Sequence, residues 1–292
     1  MRITDDSNYR NLLQDIQRIA QRMQNAQSQV SSGKRLSRPS DDPSAAADSV
    51  SIDSDRATNA QYLDNAATAQ SRLEVADNAL DGVQQVIDRI RSIALLSQNG
   101  NSPAPTSTFE INQLRDQILS TANTAFEGQS IFAGSKTDTP AYVKANDGTV
   151  SYAGDSMVTK LQTGRATTLQ SQIPGDQIFT GSIDAFQTIS DLMTAITSGN
   201  NSAIQTGVTK LETLSQTVSS ARTQVGGLIN SATAAQSDLR QTDLTQVAQL
   251  SRLQDADLSK ALSDFSQSQI ALQAATAVGA RISSISLLDY LK

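Results

Sequence analysis

The stretch from Tyr9 to Val30, YRNLLQDIQRIAQRMQNAQSQV, decides the fold that we expect for this chain. Its apolar side chains recur at alternating intervals of three and four residues, the heptad spacing that places one apolar stripe along a helix. The stripe consists of Tyr9, Leu12, Ile16, Ile19, Met23, Ala26 and Val30. No glycine or proline interrupts it, so the pattern predicts one helix with a single apolar face.

This helix requires a partner, because burying seven side chains returns less free energy than ordering about 22 backbone residues costs. A second stripe with the same spacing lies at the other end of the chain, although polar and small residues weaken it. It consists of Leu258, Leu262, Phe265, Gln269, Leu272, Thr276, Gly279 and Ile282. The sequence therefore predicts that the first and last helices pair.

Turn and cap residues mark the helices between the two ends. Gly33 is placed to end the first helix. Asp42-Pro43 is an N-cap followed by a first helical residue, and opens a helical segment that runs to about Asn99. Ser107 and Glu110 have the spacing of a capping box, which predicts the start of the next helix. From Ala203 a helical pattern continues for about 45 residues.

The periodicity changes from helical to strand-like after Gly128. Short β-prone runs follow, and Asp147-Gly148 between two of them is a strong hairpin signal. We expect a β insertion over 129–180 that folds around its own small core. A sugar-binding patch, suggested by the Tyr and Gly residues, is the alternative.

The expected fold class is mainly α with this small β insertion, a long antiparallel helical rod or bundle with paired N- and C-terminal coiled-coil helices. The expected domains are an N-terminal assembly helix at 1–44, a first half of the helical rod at 45–128, the β insertion at 129–180, a second half of the rod at 181–254 and a C-terminal assembly helix at 255–292.

The composition excludes several kinds of site. The chain has no Cys and no His, which removes thiol nucleophiles, thiolate and imidazole metal ligation, and His-based triads. The net charge of −6 argues against nucleic acid and against an anionic membrane surface. No Gly-rich phosphate loop and no paired carboxylates are evident. We therefore expect no cofactor, no metal and no enzymatic activity.

A basic patch follows the first helix, at Lys34, Arg35 and Arg38. One interpretation is a solvated turn near a helix C-terminus, where cations are favoured. The other is a contact with an acidic neighbouring subunit, in which Lys34, Arg35, Asp41 and Asp42 would take part. The sequence leaves both open.

Three stretches resemble the bacterial flagellin superfamily. They are Met1-Arg-Ile-Thr at the start, Ser31-Ser-Gly-Lys-Arg-Leu-Ser-Arg-Pro-Ser-Asp-Asp-Pro43 after the first helix, and Ser286-Leu-Leu-Asp-Tyr-Leu-Lys292 at the end. Within the superfamily, Ser40-Asp41-Asp42-Pro43 and the Leu288-Asp289-Tyr290-Leu291 ending resemble the hook–filament junction family, the third hook-associated proteins. The resemblance covers about 60 and 50 residues at the two ends.

The resemblance implies a structural subunit of the bacterial flagellum, located outside the cell and exported by the type III apparatus without a cleaved signal peptide. About eleven copies would form a ring. The implied partners are further copies of the chain, another hook-associated protein at the hook end, the first filament subunits, and an export chaperone at the C-terminal region.

The two stripes and the C-terminal leucines are the expected assembly interface. Its residues are Tyr9, Leu12, Ile16, Ile19, Met23, Val30, Leu258, Leu262, Phe265, Leu272, Ile282, Leu287, Leu288 and Leu291. A flagellin that polymerises into filaments and a helical signalling or sensor rod remain alternatives, and a flagellar peptidoglycan enzyme is a weaker one.

Overall fold

The structure is a computed structural model that describes the backbone of residues 2–290 and the side chains of residues 7 and 10–280. The chain divides into two compact units. Unit 1 comprises Met1–Ala57 with Thr242–Lys292, and unit 2 comprises Thr58–Gln241. The two ends of the chain thus fold into the same unit, as the paired stripes predict.

Seven helices make up most of the described chain. They are α1 (Arg2–Ser32), α2 (Pro43–Gln98), α3 (Ala104–Ala122), α4 (Asp176–Phe179), α5 (Ala185–Thr197), α6 (Asn201–Gln254) and α7 (Leu258–Tyr290). Gly33 follows α1 with φ +69° and donates its amide hydrogen to the Gln29 carbonyl at 2.9 Å. The predicted helix end at Gly33 is therefore confirmed.

Six short strands form three separate antiparallel pairs. They are β1 (Ala125–Phe126) with β2 (Gln129–Ser130), β3 (Tyr142–Lys144) with β4 (Val150–Tyr152), and β5 (Lys160–Gln162) with β6 (Thr168–Gln170). The hairpin predicted at Asp147-Gly148 is confirmed: it connects β3 to β4, and Gly148 has φ +86°. The mainly α fold with a small β insertion is confirmed as well.

The β insertion does not fold around a core of its own, so that prediction is wrong. Its largest buried side chains belong to the same continuous cluster as the apolar faces of α2, α3, α5 and α6 in unit 2. Tyr142 is the centre of this part, with ring centroids 5.6 Å from Phe179, 5.4 Å from Phe186 and 5.1 Å from Tyr152. A few large aromatic rings from the insertion complete the helical core, because the helices are rich in small residues.

The start of α3 also differs from the prediction. The helix begins at Ala104, and Pro103 is its N-cap without a side-chain capping bond. Ser107 is buried, and its hydroxyl lies 2.7 Å from that of Ser97. Glu110 pairs with Arg89 of α2 instead of returning to the helix end. Ser107 and Glu110 have the spacing of a capping box, but both side chains contact α2 instead of capping α3.

Within the described ranges, no helix is both long and apolar enough to cross a membrane. The same residues include no group of three acidic side chains that could hold a metal ion.

Candidate assembly interface

Helices α1 and α7 pair in unit 1. Gly279 of α7 lies beside Leu12 of α1, whereas Ser268 shares a groove with Ala26. Residues early in α1 thus meet residues late in α7, which makes the pair antiparallel. The predicted pairing of the two terminal helices is confirmed.

The stripe of α1 is the covered face of that helix. Ala26 is buried, and the other stripe residues with described side chains are half-buried: Leu12, Ile16, Ile19, Met23 and Val30. Leu13, which the heptad spacing leaves off the stripe, is exposed. One neighbouring helix therefore covers this stripe only in part.

The covered face of α7 is not the stripe that the spacing predicted. The covered positions are Ala261, Phe265, Ser268, Ala271, Leu272, Ala275 and Gly279. Phe265, Leu272 and Gly279 belong to both sets, but Leu258 and Leu262 are 49% and 52% exposed. The seam predicted for α7 is wrong at these two leucines and at Gln269 and Thr276, which are also exposed. The small residues of the covered face let α1 approach more closely than the large leucines would.

An apolar ridge remains uncovered on α7, outside the face that meets α1. Leu258, Leu262, Ile270 and Val278 follow each other at intervals of four or eight residues, and each is about half exposed or more. Side chains at intervals of four form a continuous ridge along a helix, the kind of surface that packs into the groove of another helix. Ile270 and Val278 escaped the sequence analysis, although their spacing from Leu262 was the signal that could have identified them.

In the segment between α1 and α2, two aspartate carboxylates accept hydrogen bonds from neighbouring residues and fix the turn. The Asp42 carboxylate accepts hydrogen bonds from the Ala45 amide at 3.1 Å and the Ser44 hydroxyl at 2.9 Å. These two bonds hold the pKa of Asp42 below its usual range. Asp41 accepts from the Ser37 and Arg38 amides at 3.1 and 2.9 Å. The predicted N-cap at Asp42 is therefore confirmed.

Two of the three basic residues of this segment, Lys34 and Arg35, contact the end of α6. Lys34 forms an isolated β-bridge with Asp255, and its ammonium group lies 3.5 Å from the Gln254 side-chain oxygen. The Arg35 guanidinium donates to the Leu253 carbonyl at 2.8 Å and lies 3.4 Å from Asp42. Cations at a helix C-terminus are stabilised by its partial negative charge. Lys34, Arg35, Asp41 and Asp42 all make contacts within the chain. A contact of these residues with a neighbouring subunit stays a proposal.

Five of the residues expected at the interface have side chains outside the described residues. They are Tyr9, Ile282, Leu287, Leu288 and Leu291.

Sequence comparison identifies the family. The family model described as the bacterial flagellin N-terminal helical region matches residues 3–137, and that of the flagellin C-terminal helical region matches residues 208–291. Together they span α1, α2, α3, most of α6 and α7. The chain belongs to the bacterial flagellin family. In this flagellin-family chain the unmatched part, 138–207, contains most of the β insertion and α5.

Relatives that match most of this flagellin-family chain narrow the comparison. Flagellar hook-associated protein 3 of Escherichia coli K12 is 27% identical over 297 residues, which cover 90% of this chain and 91% of the relative. A protein described as flagellar hook-associated from Vibrio parahaemolyticus shares the fold, with a TM-score of 0.69, 23% identity and coverage of 74% of this chain and all of that one. The flagellar junction protein FlgL of Legionella pneumophila also shares the fold, with a TM-score of 0.58 and 15% identity. The match covers 71% of this chain and all of that one.

Proposed function

We infer that this chain is a structural subunit of the bacterial flagellum and acts at the junction between hook and filament. The observation that carries the inference is the uncovered apolar ridge of the α1–α7 pair. It occurs in a chain that is 27% identical to flagellar hook-associated protein 3 of Escherichia coli K12 over 90% of its length. A hydrophobic surface of this kind on one chain is typical of an interface that another subunit covers.

The physical basis of assembly is the burial of apolar side chains that the monomer leaves in water. Each large side chain of the ridge is already about half covered in the monomer, so completing its burial contributes about 1 kcal/mol, roughly half of the value for a fully exposed side chain. A closed ring repeats the same contact at every subunit. The proposed interface keeps the expected residues of both helices, to which the ridge adds Ile270 and Val278.

The proposed partners follow from this position. They are further copies of the chain in a ring of about eleven, another hook-associated protein at the hook end, the first filament subunits, and an export chaperone at the C-terminal region. We also propose export to the outside of the cell, and assembly helices at 1–44 and 255–292 flanking the segments 45–128, 129–180 and 181–254.

Two alternatives predict different behaviour. A filament-forming flagellin would polymerise without a limit on length. The similarity to two hook-associated proteins 3 over 90% and 84% of this chain favours the junction over it. A signalling rod has no need of the flagellin regions at both ends. The junction role requires no catalytic step.

The experiment is complementation of a flagellated strain that lacks its own junction protein. Leu262→Asp places a carboxylate on the ridge, where burial without a partner is costly, so we expect non-motile cells that release filament subunits into the medium. Leu262→Met keeps the ridge apolar and is the matched control, with motility restored as by the unchanged chain.

Two further measurements make the result decisive. Detection of the Leu262→Asp chain in the medium shows that export is intact, and circular dichroism of the purified variant shows that it folds. Normal filaments on Leu262→Asp cells would overturn the proposal. Open filaments formed by the purified unchanged chain would instead identify a filament subunit.

A further inference from the structure

The break between α6 and α7 has no local cause in the sequence that would end α6. Only Asp255, Ala256 and Asp257 separate the two helices. No glycine or proline occurs from residue 228 to residue 278. Asp257 is a start signal for α7, because its carboxylate accepts from the Lys260 amide at 3.1 Å. A start signal of this kind is compatible with a helix that continues through it at modest cost.

Backbone groups at the break form hydrogen bonds with the segment that follows α1. The Gln254 carbonyl accepts from the Arg35 amide at 2.6 Å, and the Ala256 amide donates to the Gly33 carbonyl at 2.9 Å. The Arg35 guanidinium donates to the Leu253 carbonyl at 2.8 Å. A continuous helix would use these same groups for its own i to i−4 bonds. The two arrangements therefore compete for the same donors and acceptors.

We propose that docking of the segment Gly33–Leu36 imposes the break, that Arg35 is the positioning residue, and that α6 and α7 continue as one helix when the segment is undocked. The break is then a conformational device by which the N-terminal part of the chain decides the direction of the C-terminal helix. This inference concerns the free monomer and does not depend on the proposed function.

Arg35 has the contacts that such a role requires. Its backbone and its side chain bind two successive carbonyls at the end of α6, and its guanidinium also faces Asp42, the N-cap of α2. One residue thus connects the end of α1, the start of α2 and the end of α6. Gly33 contributes the positive φ that turns the chain toward the break.

The test is the helicity of the break residues in the full-length monomer, measured by the ¹³Cα chemical shifts of Asp255, Ala256 and Asp257. In the unchanged chain we expect non-helical values. Arg35→Ala removes the guanidinium and weakens docking, so the three shifts should move to helical values. Arg38→Ala is the matched control, because Arg38 is an exposed arginine just beyond the docking segment whose backbone amide donates to Asp41. Removal of its side chain should leave the shifts unchanged.

A second variant separates helix continuation from general disorder. Leu258 is the first residue of α7, a position that accepts proline, whereas proline there is incompatible with a helix continuing from α6. Arg35→Ala combined with Leu258→Pro should therefore return Asp255–Asp257 to non-helical shifts. Non-helical shifts in Arg35→Ala alone, an equal response in Arg38→Ala, or helical shifts in the double variant would each overturn the proposal.

Discussion

Leu12 of α1 lies against Gly279 of α7, at a point where a Cβ atom added to the glycine would stand 3.4 Å from Leu12 Cδ2. This is an ordinary van der Waals distance, so the two helices approach until a methyl group just fits between them. Glycine within a helix costs about 1 kcal/mol relative to alanine, because it loses more backbone entropy on folding.

We therefore predict that Gly279→Ala stabilises the α1–α7 pair in the monomer. The gain of up to about 1 kcal/mol should slow amide hydrogen exchange in both helices roughly fivefold. Gly227→Ala controls for the general effect of alanine on a helix, because Gly227 lies in α6 and an added Cβ there meets no atom within 4 Å. Faster exchange in α1 after Gly279→Ala would show that the contact is already too tight.

A carboxylate at Leu272 should loosen the α1–α7 pair of the free monomer. Leu272 is on the covered face of α7, so Leu272→Asp places a charge where α1 excludes part of the water. The expected cost is about 1–3 kcal/mol, seen as faster hydrogen exchange in α1 and α7. Thermal unfolding of unit 2 should change little. Leu262→Asp, on the exposed ridge, should leave exchange in the monomer unchanged, and equal effects of the two variants would contradict the assigned faces.

The β insertion should be required for the stability of unit 2. Replacing 135–175 by a short Gly/Ser turn removes Tyr142 and Ile173 from the main core, so we expect a large loss of thermal stability and of helical content. Tyr142→Ala tests the contact with the helical core at one residue, because Tyr142 is 1% exposed and its ring centroid lies 5.4 Å from that of Phe186 in α5. The expected cost in free energy of unfolding is about 3–5 kcal/mol.

The control for that experiment is Val143→Ala in β3, since Val143 is 47% exposed. Its free energy of unfolding by denaturant should stay within about 0.5 kcal/mol of the unchanged chain. A Tyr142→Ala variant as stable as Val143→Ala would show that the contact between the insertion and α5 does not stabilise unit 2.

The stability of the protein should fall at alkaline pH through Tyr152. Burial, with the charges of Asp176 and Asp155, raises the pKa of Tyr152 to about 12. Its hydroxyl donates to the carbonyls of Phe132 and Asp155 at 2.9 and 2.8 Å, which ionisation would break. Because the unfolded tyrosine ionises near pH 10, the unfolded state releases this proton first. The contribution is complete below about pH 10 and is lost as the pH rises to about 12.

The measurement is denaturant unfolding at several pH values between 8 and 12, with Tyr152→Phe as the comparison. Tyr152→Phe should be less stable at pH 8, because the two carbonyls lose their donor, and its stability should decline less steeply with pH. Parallel pH profiles of the two proteins would exclude Tyr152 as a source of the decline.

Most helices and turns could be predicted from the sequence because their causes are local. The heptad of α1 needs only the spacing of its own apolar residues. Gly33 and Gly148 adopt positive φ, which any side chain would resist, and Asp42 caps α2 with its own carboxylate. The pairing of the chain ends followed as well, because each end carried an apolar stripe that its own helix could not bury.

The tertiary structure alone decided which faces, caps and contacts are used. α7 is apolar on more than one side, and the face that meets α1 was selected by how closely small residues such as Ala261 and Gly279 allow two backbones to approach. Ser107 matched a capping box but packs against Ser97, and Arg35, which looked available to a neighbour, binds the end of α6 more than 200 positions further along the chain. Spacing along the chain determines local conformation and the direction of a side chain on its helix. The partner that fills a groove or accepts a hydrogen bond depends on distances that arise only when remote segments pack together.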